Sequence, residues 1–210
     1  MLTKTPGTTN SGLLRRSIVI NEIMYDPISG NSDDQYVELY NRGTNAVSLG
    51  GWKFTAGISY TFPTNVVIPV GGYVVVGKNA TNLLAHYPVV LNTNNTYGDF
   101  GGSLSHSGTR LALAMPDSLT NGVNTVYSVV TEVAYGTGGR WGEWAHGGGS
   151  SLELIDAHSE IRYAPNWADS DETTKSGFTS FSVTGVLDNG GAGYNPDQLQ
   201  MFLQDRKSVV

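Results

Sequence analysis

The 210-residue chain contains no cysteine. This absence excludes a disulfide framework, a zinc site built on thiolates and a cysteine nucleophile. At this length a single core buries roughly two-thirds of the unfolded chain's surface, so folding requires neither disulfides nor a metal ion. The cellular compartment stays open, because exported bacterial proteins without cysteine are common.

Charged residues are also scarce. They make up 14% of the chain, against roughly 25% in typical soluble domains. Lys and Arg together number 12 and Asp and Glu 18, which gives a formal net charge of −6. Nucleic-acid binding requires clustered basic residues that displace counterions, and the adjacent basic pairs are confined to residues 15–16 and 206–207. The composition therefore argues against a nucleic-acid partner.

No hydrophobic run approaches the roughly 20 residues that a membrane span needs, so we expect no membrane insertion. Residues 1–17 lack the apolar stretch of a signal peptide, and we predict a disordered leader there. The chain is then either cytoplasmic or an excised piece of a longer exported protein. We favour the excised piece, because the C-terminal end also has the character of a cut.

Helical periodicity is nearly absent, with one candidate turn or two over residues 80–87. Elsewhere apolar residues alternate with polar ones between Gly, Asn, Asp and Pro, as strands do. The predicted strands cover residues 18–25, 35–41, 47–49, 52–54, 58–62, 66–68, 73–76, 111–115, 126–133 and 151–155, and a long polar loop covers residues 92–108. This spacing predicts a sandwich or barrel, with Trp52 in its core.

The composition changes after residue 156. We predict a β-sandwich over residues 18–156, an acidic linker over 157–177 and a two-strand fragment of a further β-module over 178–210. The two predicted strands, residues 178–187 and 198–203, cannot form a core of their own. They would dock on the first domain, pair with another chain or stay partly exposed, and unpaired strand edges favour self-association.

An ordered set of short motifs identifies a family resemblance. The motifs are INEIMYDP at 20–27, YVELYN at 36–41, LGGWKF at 49–54, YTFP at 60–63, IP at 68–69, GGYVVV at 71–76, SLELID at 151–156 and NW at 166–167. In order and spacing the chain resembles the lamin tail domain over roughly residues 18–167. The resemblance implies an immunoglobulin-like sandwich, so the expected fold is an all-β sandwich with a short C-terminal β segment.

The resemblance also implies a function class. In nuclear lamins the domain is an interaction module beside a coiled-coil rod, and bacterial members resemble tethering or accessory pieces of large exported proteins, sometimes beside hydrolases. This chain has no heptad rod, and the family offers no catalytic residues to transfer. We therefore expect a non-catalytic module without a cofactor, extracellular or at the cell surface, in a larger bacterial protein.

Nucleophilic catalysis and nucleotide binding have little support. The four histidines (His86, His106, His146 and His158) lie in predicted loops or turns far apart in the sequence, and no Gly-x-Ser-x-Gly motif is present. The glycine-rich stretch 136–149 fails the Gly-x-Gly-x-x-Gly pattern, because Trp141 takes the third glycine's place. Surface histidines and a long loop are the favoured interpretations.

Three kinds of binding or catalytic candidate remain. Asp26, Asp33 and Asp34 could supply oxygen ligands to calcium, although the missing EF-hand spacing favours a solvated acidic loop, as it does for the acidic residues 169–172. Trp141 and Trp144 could form an aromatic platform for a glycan or a protein, unless one or both cover an end of the sandwich. Glu22 and Glu38 lie within strands, where a structural role outweighs acid–base catalysis.

The predicted function is binding of a protein or glycan surface. A purely structural spacer or assembly unit is the alternative, favoured if the C-terminal strands pair between chains. A part of a secreted hydrolase is the remote alternative.

Overall fold

The protein is described by a computed structural model, which covers residues 17–117 and 125–170. The strands are β1 (Ile18–Met24), β2 (Tyr36–Asn41), β3 (Val47–Ser48), β4 (Lys53–Ala56), β5 (Val67–Ile68), β6 (Tyr73–Gly77), β7 (Thr96–Tyr97), β8 (Thr109–Asp117), β9 (Val126–Tyr135), β10 (Leu152–Leu154) and β11 (Trp167–Asp169). One helix, α1 (Ala80–His86), and two 3-10 turns, Ser32–Asp34 and Ala164–Asn166, complete the described elements.

The strands form two principal sheets. One has six strands in the order β11-β10-β1-β2-β6-β7, and the other has three in the order β4-β8-β9. All neighbouring strands of these sheets are antiparallel except β6 and β7. A third pair, β3 and β5, is also antiparallel. This is the all-β sandwich that the alternating pattern predicts.

The core lies between the sheets and is supplied by alternate residues of the strands. In β2, Val37 and Leu39 are fully buried, while Glu38 between them faces outward and is partly exposed. Trp52 is buried in the same core, which confirms its predicted place. The helix predicted at residues 80–87 is confirmed over Ala80–His86, and its N-cap residue is Asn79, whose side chain accepts a hydrogen bond from the Asn82 amide.

Two local predictions differ from the structure. The polar loop predicted at residues 92–108 contains β7, whose two residues pair with β6 in parallel. The strand predicted over residues 58–62 is reduced to isolated bridges, although Ile58 and Phe62 are buried. In both cases tertiary contacts decide: Tyr97 packs its ring edge-on against Phe62, a contact between segments that local periodicity cannot anticipate.

Residues 157–170 pack on the sandwich, whereas composition assigned residues 157–177 to a linker. Ile161 and Trp167 are buried in the core, and the Trp167 indole N–H donates to the Ile161 carbonyl at 2.7 Å. Strand β11 pairs with β10. These two buried apolar side chains and the strand pairing hold the polar segment on the sandwich, and an average over its composition conceals them. Of the leader predicted over residues 1–17, residues 1–16 lie outside the described residues, as do residues 171–177 of the predicted linker and the two-strand fragment predicted at 178–210.

Strand β1 orients the molecule. It begins beside Ser17 and ends at Met24, and Tyr25 and Asp26 follow directly. We call the region around Asp26, the loop 104–108 and the glycine-rich loop 136–149 the Asp26 end. Because a seven-residue strand is about 20 Å long, the region around Ser17 lies at the opposite end of the sandwich.

Candidate functional site

Two histidines from separate loops meet at one carboxylate. His106 Nδ1 lies 3.2 Å from Asp26 Oδ1, and His146 Nδ1 lies 2.8 Å from Asp26 Oδ2. The imidazole side chains are 51% and 50% exposed, and the carboxylate between them is 14% exposed. This cluster could not be predicted from the sequence, because its members stand at residues 26, 106 and 146 and no motif links them.

A buried glutamine positions the His106 loop. The Gln35 side-chain amide donates to the Tyr25 carbonyl at 2.8 Å and to the Leu104 carbonyl at 2.9 Å, and its oxygen accepts from the Leu104 amide at 2.9 Å. Gln35 is fully buried. Its three hydrogen bonds therefore tie the segment before His106 to the end of β1, where Asp26 lies.

The same loop is held from the other sheet. The Tyr135 hydroxyl donates to the Ser105 carbonyl at 3.0 Å. Gly108 closes the turn with a φ of +88°, and an added Cβ would come 2.5 Å from the Tyr135 carbonyl oxygen. Only glycine fits such a position without strain. His106 is thus carried on a turn with fixed ends rather than on a free loop.

The glycine-rich loop is pinned on the other side of Asp26. The Gly147 amide donates to the Asp26 carbonyl at 3.2 Å, and the Ala145 amide donates to Asp169 Oδ1 at 2.7 Å. Ala145 is fully buried. The loop that sequence interpretation left as a long connection is therefore anchored at both sides of His146.

The structure separates the two candidate tryptophans. Trp141 is partly buried, packs against the core and lies 6.3 Å from Trp167 between ring centroids. Trp144 is 51% exposed, and its carbonyl accepts from the Gly148 amide at 2.9 Å in a turn of the loop. Trp141 thus covers an end of the sandwich, while Trp144 is half-exposed two residues before His146.

Two buried tyrosines lie beneath the cluster. The rings of Tyr25 and Tyr135 are 4.9 Å apart. Burial raises the pKa of Tyr25 well above its ordinary value, and the carboxylates of Asp26 and Asp169 raise it further. Burial likewise raises the pKa of Tyr135, against the lowering effect of its hydrogen bond to Ser105. Both phenols therefore stay protonated at neutral pH, so the buried side chains next to the cluster are uncharged.

The three aspartates predicted as calcium candidates do not gather. Asp26 lies with the histidines. Asp34 is buried and accepts from Ser29 Oγ at 2.5 Å and from the Asn82 side-chain amide, and Asp33 accepts from the Asn79 side-chain amide at 3.2 Å. Asp33 and Asp34 thus join the first loop to α1. Within residues 17–117 and 125–170 no three His, Asp or Glu side chains are arranged to hold a metal ion.

Glu22 and Glu38 belong to a row of carboxylates across three strands. Glu22 is the register partner of Glu38 on β2 and of Glu153 on β10. It is buried and accepts from the Tyr36 hydroxyl and from Ser151 Oγ, both at 2.5 Å. Glu38 accepts from the Asn21 side-chain amide at 2.9 Å. These bonds give Glu22 and Glu38 structural roles in the sheet.

The remaining histidines form separate pairs. His86 Nδ1 is 3.7 Å from Asp34 Oδ1, and His158 Nδ1 is 3.4 Å from Asp156 Oδ1. His158 is 70% exposed. Its loop lies at the opposite end from Asp26, because Arg42, beside Ser17, donates to the neighbouring Ala157 carbonyl.

A groove of about 240 Å³ also lies at that opposite end. It is lined by the start of β1, Arg42, the middle of β9 and residues 159–162. Its charged rim is largely self-paired: Arg162 Nε is 3.0 Å from Glu160, and Arg110, just outside, is 2.6 Å from the lining Glu132. The groove therefore holds none of the candidate residues that the sequence pointed to.

The fold places the chain in the class of immunoglobulin-like β-sandwiches. A comparison with family models matches the Lamin Tail Domain over residues 15–162. The chain belongs to the lamin tail domain family, as the motifs predicted, and domains of this family are generally non-catalytic.

The chain was also compared with curated proteins and with solved structures. A search of curated proteins finds no match. Among solved structures, a DUF4876 family protein from Bacteroides thetaiotaomicron VPI-5482 is similar with a TM-score of 0.41 and 14% identity, over 74% of this chain and 68% of that one. In the described part of the chain, α1 is far too short to cross a membrane and no other helix has the length and apolar character to do so.

Proposed function

We propose that this lamin tail domain is a non-catalytic interaction module that binds its partner through the Asp26 end. The observation that carries the proposal is the half-exposed indole of Trp144, held on a loop that is anchored to Asp26 and Asp169. Aromatic rings provide large contact area at low cost in conformational entropy. A half-exposed ring on an anchored loop contributes little to the core, and its position is therefore better explained by recognition of a partner.

The chemistry of the cluster supports binding rather than catalysis. A histidine and an aspartate could activate a hydroxyl nucleophile, and that arrangement needs a hydroxyl within hydrogen-bond reach of the imidazole. The hydroxyls that flank His106 in sequence, those of Ser105 and Ser107, hydrogen bond to each other at 3.2 Å instead. The proposal therefore assigns the imidazoles no catalytic role.

The module is proposed to act outside the cell, as part of a longer exported bacterial protein. Supporting this, only 14% of residues are charged, and Ser, Thr, Asn and Gly supply much of the polar surface. Such neutral surfaces are common in exported β-proteins. The net charge of −6 disfavours DNA as the partner.

The test is binding of the purified full chain to a glycan array and a peptide array, with immobilised DNA at physiological salt. The matched variants are Trp144→Ala and Val89→Ala; Val89 is 95% exposed, lies after α1 and belongs to neither of the two loops that meet at Asp26. We expect a ligand whose signal falls with Trp144→Ala alone. Silence of every probe would favour the structural spacer, and binding that is indifferent to Trp144 would contradict the proposed surface.

A further inference from the structure

The cluster of His106, Asp26 and His146 defines the class of ligand at this surface. The Nδ1 atoms of both rings lie against the Asp26 carboxylate, at 3.2 and 2.8 Å. An ionised carboxylate accepts hydrogen bonds and cannot donate them, so it favours the tautomer with the proton on Nδ1 in each ring. In a neutral imidazole the other nitrogen then carries the lone pair and accepts hydrogen bonds. Each ring therefore offers an Nε2 acceptor on a half-exposed side chain.

We propose that the Asp26 end binds an uncharged, hydroxyl-rich carbohydrate, with the ring of Trp144 against the sugar's C–H face and the Nε2 atoms of His106 and His146 accepting from its hydroxyls. This inference rests on the proposed function and names its ligand. A sugar ring combines an apolar face with several hydroxyl donors around its edge. The surface offers the complementary set: one exposed aromatic face and two acceptors anchored to one carboxylate.

A protein partner fits this surface less well. Protein interfaces centre on a cluster of buried apolar side chains and cover roughly 800 Å² on each partner. Within the glycine-rich loop, Trp144 is the one large hydrophobic side chain that is exposed, since Trp141 packs inward and Ala145 is fully buried. A single ring with polar neighbours matches the size of one sugar residue.

A metal ion fits less well too. Zinc requires its nitrogen and oxygen ligands at about 2.0–2.2 Å from one point, and the described residues contain no set of three or more His, Asp or Glu side chains so placed. Sugar hydroxyls are spread around a ring and do not need acceptors that converge. The observed cluster satisfies the looser requirement.

Charge selects among carbohydrates. The Asp26 carboxylate lies directly behind both imidazoles, and the whole chain carries a net charge of −6. Like charges repel at this range, so sialylated, sulfated or uronic glycans are disfavoured. The inference therefore predicts neutral glycans as the ligands.

The experiment measures affinity of the full chain for the strongest neutral glycan on the array, in buffer with EDTA. The variants are His106→Phe and His146→Phe, with His158→Phe as the matched control, because His158 also faces an aspartate but lies at the opposite end. Each site variant should weaken binding by about threefold to tenfold, the value of one lost hydrogen bond. The control should change binding by less than about twofold on the same scale.

Two further variants guard against misfolding. His146→Gln keeps an acceptor oxygen and should bind better than His146→Phe. Asp26→Asn places an amide beside both rings and removes the negative charge, so it should weaken neutral-glycan binding and reduce the discrimination against acidic glycans. A variant that only disturbed the fold would lose all binding without changing this preference.

The outcomes separate the two proposals. Glycan binding that depends on Trp144 but not on either histidine would overturn the inference and leave the proposed function standing. The same holds if peptides alone bind, if acidic glycans are preferred, or if binding requires a metal ion. If no probe binds at all, both the proposed function and this inference are contradicted.

Discussion

Replacing Gln35 with methionine should destabilise the domain more than any surface change. The replacement keeps the shape of the side chain and removes its three buried hydrogen bonds to Tyr25 and Leu104. A typical bond contributes about 1 kcal/mol net, and a buried group left without a partner costs more. Gln35→Met should therefore lower the free energy of unfolding by about 3–5 kcal/mol.

Chemical and thermal unfolding of the full chain measure this loss. For a domain of this size, 3 kcal/mol corresponds to a fall in Tm of about 6–12 °C. The control is Asn45→Leu, a similar amide-to-aliphatic change at an exposed side chain, which should stay within about 0.5 kcal/mol of the wild type. If Gln35→Met changes stability as little as this control does, Gln35 does not hold the His106 loop and the account of the site's construction is wrong.

Three further predictions concern other parts of the sandwich. Trp141→Ala should lower the free energy of unfolding by about 2 kcal/mol, because its ring packs on the core. Trp144→Ala should change it by less than about 0.5 kcal/mol. Equal losses of stability in urea unfolding would contradict the conclusion that Trp141 is packed and Trp144 is half-exposed. Glu38→Gln should raise stability by about 0.2–1 kcal/mol by removing like-charge repulsion with Glu22, and the gain should shrink in 1 M salt; a salt-independent effect would exclude repulsion as its cause. Burial, reinforced by Glu22, raises the pKa of Tyr36 well above its usual range. The unfolded chain therefore releases this proton at a lower pH than the folded chain does, and stability should fall as the pH rises above about 10. Phenolate absorbance that reaches its full amplitude before unfolding would contradict this.

Strand patterns predicted the fold because they arise from local chemistry. Val37 and Leu39 point to the core and Glu38 points away, and this two-residue period is written in the sequence. Strand β7 could not be predicted in this way. The two residues of β7 lie among asparagines, and only their pairing with β6 makes them a strand.

Only part of the candidate site could be predicted from the sequence. Trp144 stood out as an aromatic residue in a glycine-rich loop, and its exposure keeps it a candidate. The meeting of His106 and His146 at Asp26 depends on the two loops folding over the end of β1. Gln35, which holds one of these loops, occurs as an ordinary polar residue before a strand, and no local pattern marks it as buried.

The segment after residue 156 shows the limit of composition. Its polar composition predicted a linker, yet the segment packs on the sandwich, and the large apolar residue Trp167 is the feature of its sequence that indicates this. The NW motif at residues 166–167 was recognised as part of the family pattern, and family membership gave the better guide to the end of the domain. Isolated large apolar residues in polar segments therefore outweigh segment averages.

The most direct test of the central claim is an amide chemical-shift map of the full chain titrated with the strongest neutral glycan from the array. The account predicts shifts concentrated at Trp144, His146 and His106, with the groove around Arg42 and Val129 unchanged. Shifts confined to that groove, or no response to any neutral glycan, would contradict the assignment of the Asp26 end as the binding surface.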